Sequence, residues 1–243
     1  MSELRKVKGI FLYQIKYTEH SVIAKIYTDK LGIQSFIIRG VGNSKKNKKT
    51  GFLQPLTILN LDIYYNPKAN IHHIKEMTLA YPQNLKQSDF IKSAITIFIN
   101  ELVYKSIKEQ EKNHALFDFL ANSIQYLEQA EENIANFHLS FAIQFSGYLG
   151  FFPDTTNSSG KGIFDLREGH FSYNEPLHND FIKDETAFKF KELLNSNYHE
   201  ASQLVLSRNQ RNELLNYILT FYAFHLQGFG TMKSPHILQS ILS

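Results

Sequence analysis

Cysteine is absent from the 243-residue sequence, which excludes disulfides, thiol nucleophiles and any zinc site built on thiolates. Also absent is a run of about 18 uncharged apolar residues, the length a membrane-spanning helix needs. The opening stretch MSELRKVKGIFLYQIKY places Lys16 where a signal peptide would continue its apolar core. The expectation is a cytoplasmic protein with no membrane partner. Sequence signatures of catalysis are missing too: there is no GxxxxGK[ST], no GxGxxG opening a helix, no HExxH and no GxSxG. His72 and His73 are adjacent on a predicted strand, so they face opposite sides and cannot chelate one ion together. His170, His178, Asp154 and Asp165 are scattered through polar sequence and read as solvated loop rather than metal ligands. No catalytic residue, metal or cofactor is expected.

What is present describes a globular protein. Hydrophobic residues make up 43%, aromatics 14% and charged residues 20% of the chain, enough apolar side chain for a sizeable core. The length suits two domains. Charge is divided unevenly between them: residues 1–84 carry 13 Lys+Arg against 5 Asp+Glu, a net of +8, whereas residues 85–243 carry 13 against 18, a net of −5. A cationic first part suits a polyanionic partner.

From Lys6 to about Ala80 the pattern is short β-rich segments. KVKGIFLYQIKY, SVIAKIYT, GIQSFIIRG, PLTILNLDIYY and IHHIKEMTLA give five strands, with turns at Asp29–Gly32 and Tyr65–Pro67. Five strands in about 75 residues leave no room for crossover helices, so the sheet is antiparallel and must close or pack on itself. An OB-type barrel is the economical solution; an SH3-like barrel or an open meander satisfies the same strand count.

After Pro82 the apolar period changes to about 3.6. Helices are predicted from Asp89 to Ile107, Asn113 to Leu127 and Asn133 to Leu149, the last stopped by Gly150 and Pro153. Ser207–Gln210 (SRNQ) fits a capping box for a helix to Leu226, and Ser234-Pro235 opens a short final one. Phe137, Phe141, Phe145 and Tyr148 share a helical face and read as core. Residues 151–182 break the helical pattern with a polar loop and a hairpin turning at Glu168-Gly169. The fold class is therefore α+β and multidomain: a five-stranded barrel over residues 1–82, then a helical bundle domain over 83–243 with a cysteine-free hairpin insertion at 151–182.

Between the third and fourth strands lies RGVGNSKKNKKTGFLQP, which interrupts apolar sequence with Lys45, Lys46, Lys48 and Lys49. The nearest acids in sequence, Asp29 and Asp62, are far along the chain, so these lysines are free to meet phosphates. If all four contact one strand of single-stranded nucleic acid, the log–log salt dependence steepens by roughly 3. Arg39, Lys8 and Lys16 extend the cationic track, and Tyr13, Phe36 and Phe52 are the nearest candidates for base stacking.

The segment KGIFLYQIKYTEHSVIAKIYTDKLGIQSFIIRGVGNSKKNKKTGFLQPLTILNLDIYY, with its KG, RGV and LQPL elements and the basic loop, resembles the N-terminal domain of the bacterial recombination-mediator family RecO nearly end to end. The helical remainder is compatible in length and order, down to the late KSPHIL. The resemblance implies an OB-fold that binds single- and double-stranded DNA and anneals complementary strands. It further implies partnership with RecR and with the C-terminal tail of single-stranded DNA-binding protein, and loading of recombinase onto coated gaps. Many members carry a four-cysteine zinc module in the helical domain. Here the matching insertion has no cysteine, so no zinc is expected and Phe164, Phe171 and Tyr173 are the candidate packing anchors. An acidic protein tail would need a hydrophobic groove edged by bases, with Lys105, Lys108, Arg208 and Arg211 as candidates. Two other readings remain: an RNA-binding or scaffold protein on the same barrel, which matched RNA and DNA strands would separate, and a hydrolase, which would turn over nucleic acid.

Overall fold

The structure, a computed structural model, describes residues 2–41, 51–81, 90–108, 112–131, 133–156 and 162–242. The lysines at 45, 46, 48 and 49 lie outside the described residues. The strands are β1 (Glu3–Thr18), β2 (Ser21–Thr28), β3 (Gly32–Arg39), β4 (Ile58–Tyr65), β5 (His72–Leu79), β6 (Ile163–Asp165), β7 (His170–Ser172) and β8 (Phe181–Ile182). The helices are α1 (Phe90–Ser106), α2 (His114–Gln129), α3 (Phe137–Tyr148), α4 (Asp184–Leu194), α5 (Tyr198–Gln203), α6 (Arg208–His225) and α7 (Ser234–Ile241). The chain divides into two compact units, Met1–Asp89 with Ile107–Gln129, and Phe90–Ser106 with Ala130–Ser243.

In the first unit β1 to β5 form a closed barrel in the order β1-β2-β3-β5-β4. The first three strands form an antiparallel meander, and β4 closes against β1 from Glu3 opposite Tyr65 to Ile10 opposite Ile58. A short parallel contact between β3 and β5, Phe36 opposite His72 and Ile37 opposite His73, completes the ring. This is the OB topology, and it excludes the SH3-like and open-meander alternatives.

Local chemistry explains why the chain turns where it does. At the β2–β3 turn the Thr28 hydroxyl donates to Gly32 O and accepts from Leu31 N–H, while Gly32 takes φ +64°. At the β4–β5 turn the Asn66 carboxamide oxygen accepts from Lys68 N–H at 3.0 Å. Closure also needs Gly9, because a Cβ there would stand 2.5 Å from Ile26 Cγ2 and 3.0 Å from Leu61 Cδ1. Val7, Phe11, Ala24, Ile26, Phe36, Leu59, Leu61 and Ile63 fill the interior. Helix α2, capped where the Asn113 side chain accepts from Leu116 N–H, belongs to this unit. The Tyr27 hydroxyl donates to Asn113 O, and its ring lies 6.2 Å from that of Phe117.

The second unit packs helices around rings. Phe137, Phe141 and Phe145 are buried, with successive centroids 6.3 and 5.6 Å apart, whereas Tyr148 is exposed and leaves the stripe. The predicted capping box is present: Gln210 N–H donates to Ser207 Oγ and Ser207 N–H to Gln210 Oε1. The insertion forms a small sheet in the order β7-β6-β8. Its turn is tied by Asp165, which accepts from Arg167 N–H and Glu168 N–H, with Gly169 at φ +75°. Phe164 anchors it, with ring centroids 4.8 to 5.8 Å from Phe171, Phe190 and Phe221. Tyr173 does not serve as an anchor; it is 66% exposed.

Candidate nucleic-acid interface

Residues directly opposite one another across a sheet share a face, so the register of the barrel can be followed strand by strand. Ile15 on β1 lies opposite Ile23, Ile23 opposite Ile37, Ile37 opposite His73, His73 opposite Tyr64 and Tyr64 opposite Leu4. The adjacent row, containing Ala24, Phe36 and His72, points into the core. The first row is therefore an apolar and aromatic belt crossing all five strands on the outer surface. Leu4, Ile15, Tyr64 and His73 on it are exposed.

The belt deepens into a groove of about 690 Å³ where β3 and β5 diverge after their two parallel pairs. Arg39, Ile37, Tyr64, Ile71, His73 and Lys75 line it, and Glu76 is the carboxylate along its wall. Lys75 forms no ion pair among the described residues. Beneath the groove His72 packs between the rings of Phe36 and Tyr65 and shares a hydrogen bond with Gln34 Oε1. Burial, and then the neighbouring His73, lowers its pKa, so His72 is a neutral core residue while His73 faces out.

The other predicted DNA-binding residues are placed as follows. Arg39 ends β3, exposed and opposite Ser21, at the start of the lysine-rich segment. Tyr13 is half-exposed on the outer face of the β1–β2 hairpin, opposite Lys25. Lys16 lies opposite Val22 and so on the other face of that hairpin. Lys8 is four residues along β1 from Leu4, about 13 Å from the belt. It sits in a second concavity with Lys6, Lys30, Asp29, Asp62 and Glu76, where three cations face three carboxylates, and its ammonium stands over the Tyr81 ring. The structure does not gather Lys8, Lys16 and Arg39 into one track. Phe36 is corrected outright as a stacking platform, because it is 0% exposed in the barrel core. Phe52 is partly buried against the same core. Sequence reasoning missed Tyr64, Ile71, His73 and Lys75, although Tyr64 shares the parity of Asn60 and Asp62 and so was readable as outward-facing.

In the second unit a groove of about 530 Å³ runs between α6 and α7, lined by Asn216, Thr220, Phe224, Met232, His236 and Gln239. Arg208 donates to Gln239 O and stands at one end. Arg211 is committed to structure: it donates to Leu206 O at 2.6 Å and Leu242 O, and burial lowers its pKa. Lys105 falls in this unit and Lys108 in the other. Helix α7 is held in place by Glu101 of α1, whose buried carboxylate accepts from Lys233 N–H at 3.0 Å and Ser234 N–H at 2.7 Å. In the insertion Asp165 and His178 meet at 3.3 Å, and no group of three metal-ligating side chains occurs among the described residues. No helix there is long and apolar enough to cross a membrane.

The family described as Recombination protein O N terminal matches residues 1–83, and Recombination protein O C terminal matches residues 87–235. The chain is 36% identical over 241 residues to the DNA repair protein RecO of Flavobacterium psychrophilum, covering 98% of this chain and 99% of that protein. It is 34% identical to the protein of the same name from Azobacteroides pseudotrichonymphae, covering 98% and 99%. It is 33% identical to that of Phocaeicola vulgatus, covering 99% and 100%.

Proposed function

The chain belongs to the RecO family of DNA repair proteins, and from that premise we propose that its barrel binds single- and double-stranded DNA and speeds the annealing of complementary strands. Its role lies in DNA repair and recombination. The observation that carries the reading is the outer belt: a row of apolar and aromatic side chains crosses the five strands and opens, between β3, β4 and β5, into a groove edged by Arg39 and Lys75. Such a surface takes bases on its apolar floor and phosphates on its cationic rim, without base-edge readout.

Annealing follows from electrostatics. Two strands of like charge repel, and a cationic surface that neutralises both lowers that repulsion while weak contacts let them slide into register. The four lysines at 45, 46, 48 and 49 follow Arg39 within ten residues and supply four of the 13 basic residues of the first 84. No bond is made or broken, so the protein acts by binding rather than by catalysis. The helical unit, with the acidic balance, docks proteins. Its α6–α7 groove, with Arg208 at one end, suits the acidic tail of single-stranded DNA-binding protein, and with RecR the protein loads recombinase onto coated gaps in the cytoplasm. Residues 1–82 act as the DNA-binding domain and 83–243 as the partner-binding one.

The test is binding of a fluorescent oligo-dT by Tyr64→Ala and Arg39→Ala variants across a salt series. Loss of a stacking ring costs about 1 to 3 kcal/mol, roughly 5- to 150-fold, with the salt slope unchanged. Arg39→Ala lowers the slope by about 0.7. Parent-like affinity and slope in both variants would remove the groove from the DNA path, and a strong preference for matched RNA would favour an RNA-binding protein instead.

A further inference from the structure

Strand β1 is 16 residues long and outruns the barrel. Its pairing with β4 ends at Ile10 opposite Ile58, and the last bonds on that side are Phe11 N–H to Thr57 O and Leu56 N–H to Phe11 O, both 2.9 Å. From Gln14 to Thr18 the strand is bonded to β2 alone. Along that stretch every second residue turns its N–H and C=O to an edge that no other described residue occupies. All five residues are exposed. Ile15 is 57% exposed on the outer face of the hairpin, and Tyr17, at the bulge between Lys16 and Thr18, is 58% exposed.

An open strand edge beside exposed apolar side chains is a template for another strand. Its spacing matches a polypeptide backbone. A second copy of the chain is the first occupant to consider, and Lys16 opposes it. Antiparallel self-pairing of Gln14–Thr18 about its midpoint puts Lys16 directly opposite Lys16, and like charges in that position destabilise a sheet. Lys16 has no ion pair among the described residues, so a carboxylate placed there would meet an uncommitted ammonium group.

We propose that the Gln14–Thr18 edge of β1 is a strand-addition site for a β-strand of a partner protein, one with apolar residues on either side of a central Asp or Glu. The carboxylate lies opposite Lys16 while its two neighbours cover Ile15 and Tyr17. The same lysine that blocks self-pairing thus selects the partner.

The test uses the full chain and a disulfide-cyclised β-hairpin peptide that presents Thr-Val-Glu-Val-Thr on its open edge, labelled for fluorescence anisotropy. Cyclisation removes most of the ordering cost of a free peptide. The expected result is saturable binding with a Kd below about 1 mM, weakened several-fold when the central Glu is Lys and abolished when the edge amides are N-methylated. A Lys16→Glu variant should invert the preference between the Glu and Lys peptides. Saturating oligo-dT should leave the peptide bound. Absence of saturable binding, equal binding of both peptides, or insensitivity to N-methylation would overturn the proposal. Displacement by oligo-dT would assign the edge to nucleic acid instead.

Discussion

Replacing Glu101 with Ala removes the carboxylate that ties α1 to the start of α7, and the structure sets the size of the effect. Glu101 is 7% exposed, and its two oxygens accept the backbone N–H groups of Lys233 and Ser234. These donors stand at the beginning of a helix, where no intrahelical partner exists and where the helix dipole favours negative charge. Truncation leaves two donors unsatisfied at about 1 to 3 kcal/mol each, less whatever water recovers, so a net loss of about 3 kcal/mol is expected. For a domain of this size that is a fall in Tm of roughly 10 °C. Glu101→Gln retains one acceptor oxygen and should lose about half as much.

The pH dependence of Glu101 carries its own sign. Burial alone would raise its pKa, but the hydrogen bonds from Ser234 and Lys233 and the nearby Lys105 ammonium outweigh burial and hold it below its ordinary value of 4.5. A carboxyl depressed in the folded state contributes stability that is fully present above that value and is lost as pH falls through the folded pKa. Differential scanning calorimetry from pH 7 to pH 3 should therefore show the parent losing its advantage over Glu101→Gln below about pH 4.5. A constant gap across that range, or a Tm change of less than about 2 °C in Glu101→Ala, would refute the clamp.

Three further outcomes are expected. Gly9→Val should destabilise the barrel by more than about 3 kcal/mol in urea titration, since even a Cβ there would stand 2.5 Å from Ile26 Cγ2 and 3.0 Å from Leu61 Cδ1. His138 is fully buried, and burial followed by the charge of Arg211 lowers its pKa to about 3, against the opposing effect of the Ala135 backbone carbonyl, which accepts from the imidazole. The unfolded chain therefore binds the extra proton between pH 6.5 and about 3, so stability rises with pH across that window and is lost as the pH drops through it; His138→Gln should flatten the dependence there. Phe164→Ala should cost about 3 to 5 kcal/mol by emptying the ring cluster that holds the insertion, whereas a metal chelator should leave the Tm of the parent unchanged.

Much of the fold was legible because its signals are local. The five strands, the turn at Thr28–Gly32 and the capping box at Ser207 each follow from a few adjacent residues. The start of α3 did not follow so simply. Asn133 looks like an N-cap but takes φ +57°, and the helix starts after Asn136, whose carboxamide donates to Ala201 O and Leu204 O some 65 residues away. Helix α4 follows Lys183, which makes no side-chain cap and so leaves no local start signal, whereas the Asn197–Glu200 capping box of α5 is local and was readable.

The candidate site divides along similar lines. Tyr64 and Lys75 share a parity with exposed polar neighbours and could have been read as outward-facing. Phe36 could not, because β3 is apolar on both parities, Ile33 and Ile37 against Phe36 and Ile38; only closure of the barrel decides which set is buried. Arg211 looks like a surface base one turn from Arg208, and the carbonyls that claim it, at Leu206 and Leu242, become neighbours only in the folded unit.

The cationic barrel is proposed to bring nucleic-acid backbones together. The most direct test of this is the rate of annealing of complementary strands across a salt series, for the parent and for a variant with Lys45, Lys46, Lys48 and Lys49 replaced by Gln. Annealing should be slower in the variant, with a log–log salt slope shallower by roughly 3. Parent-like rate and slope in the variant would contradict it.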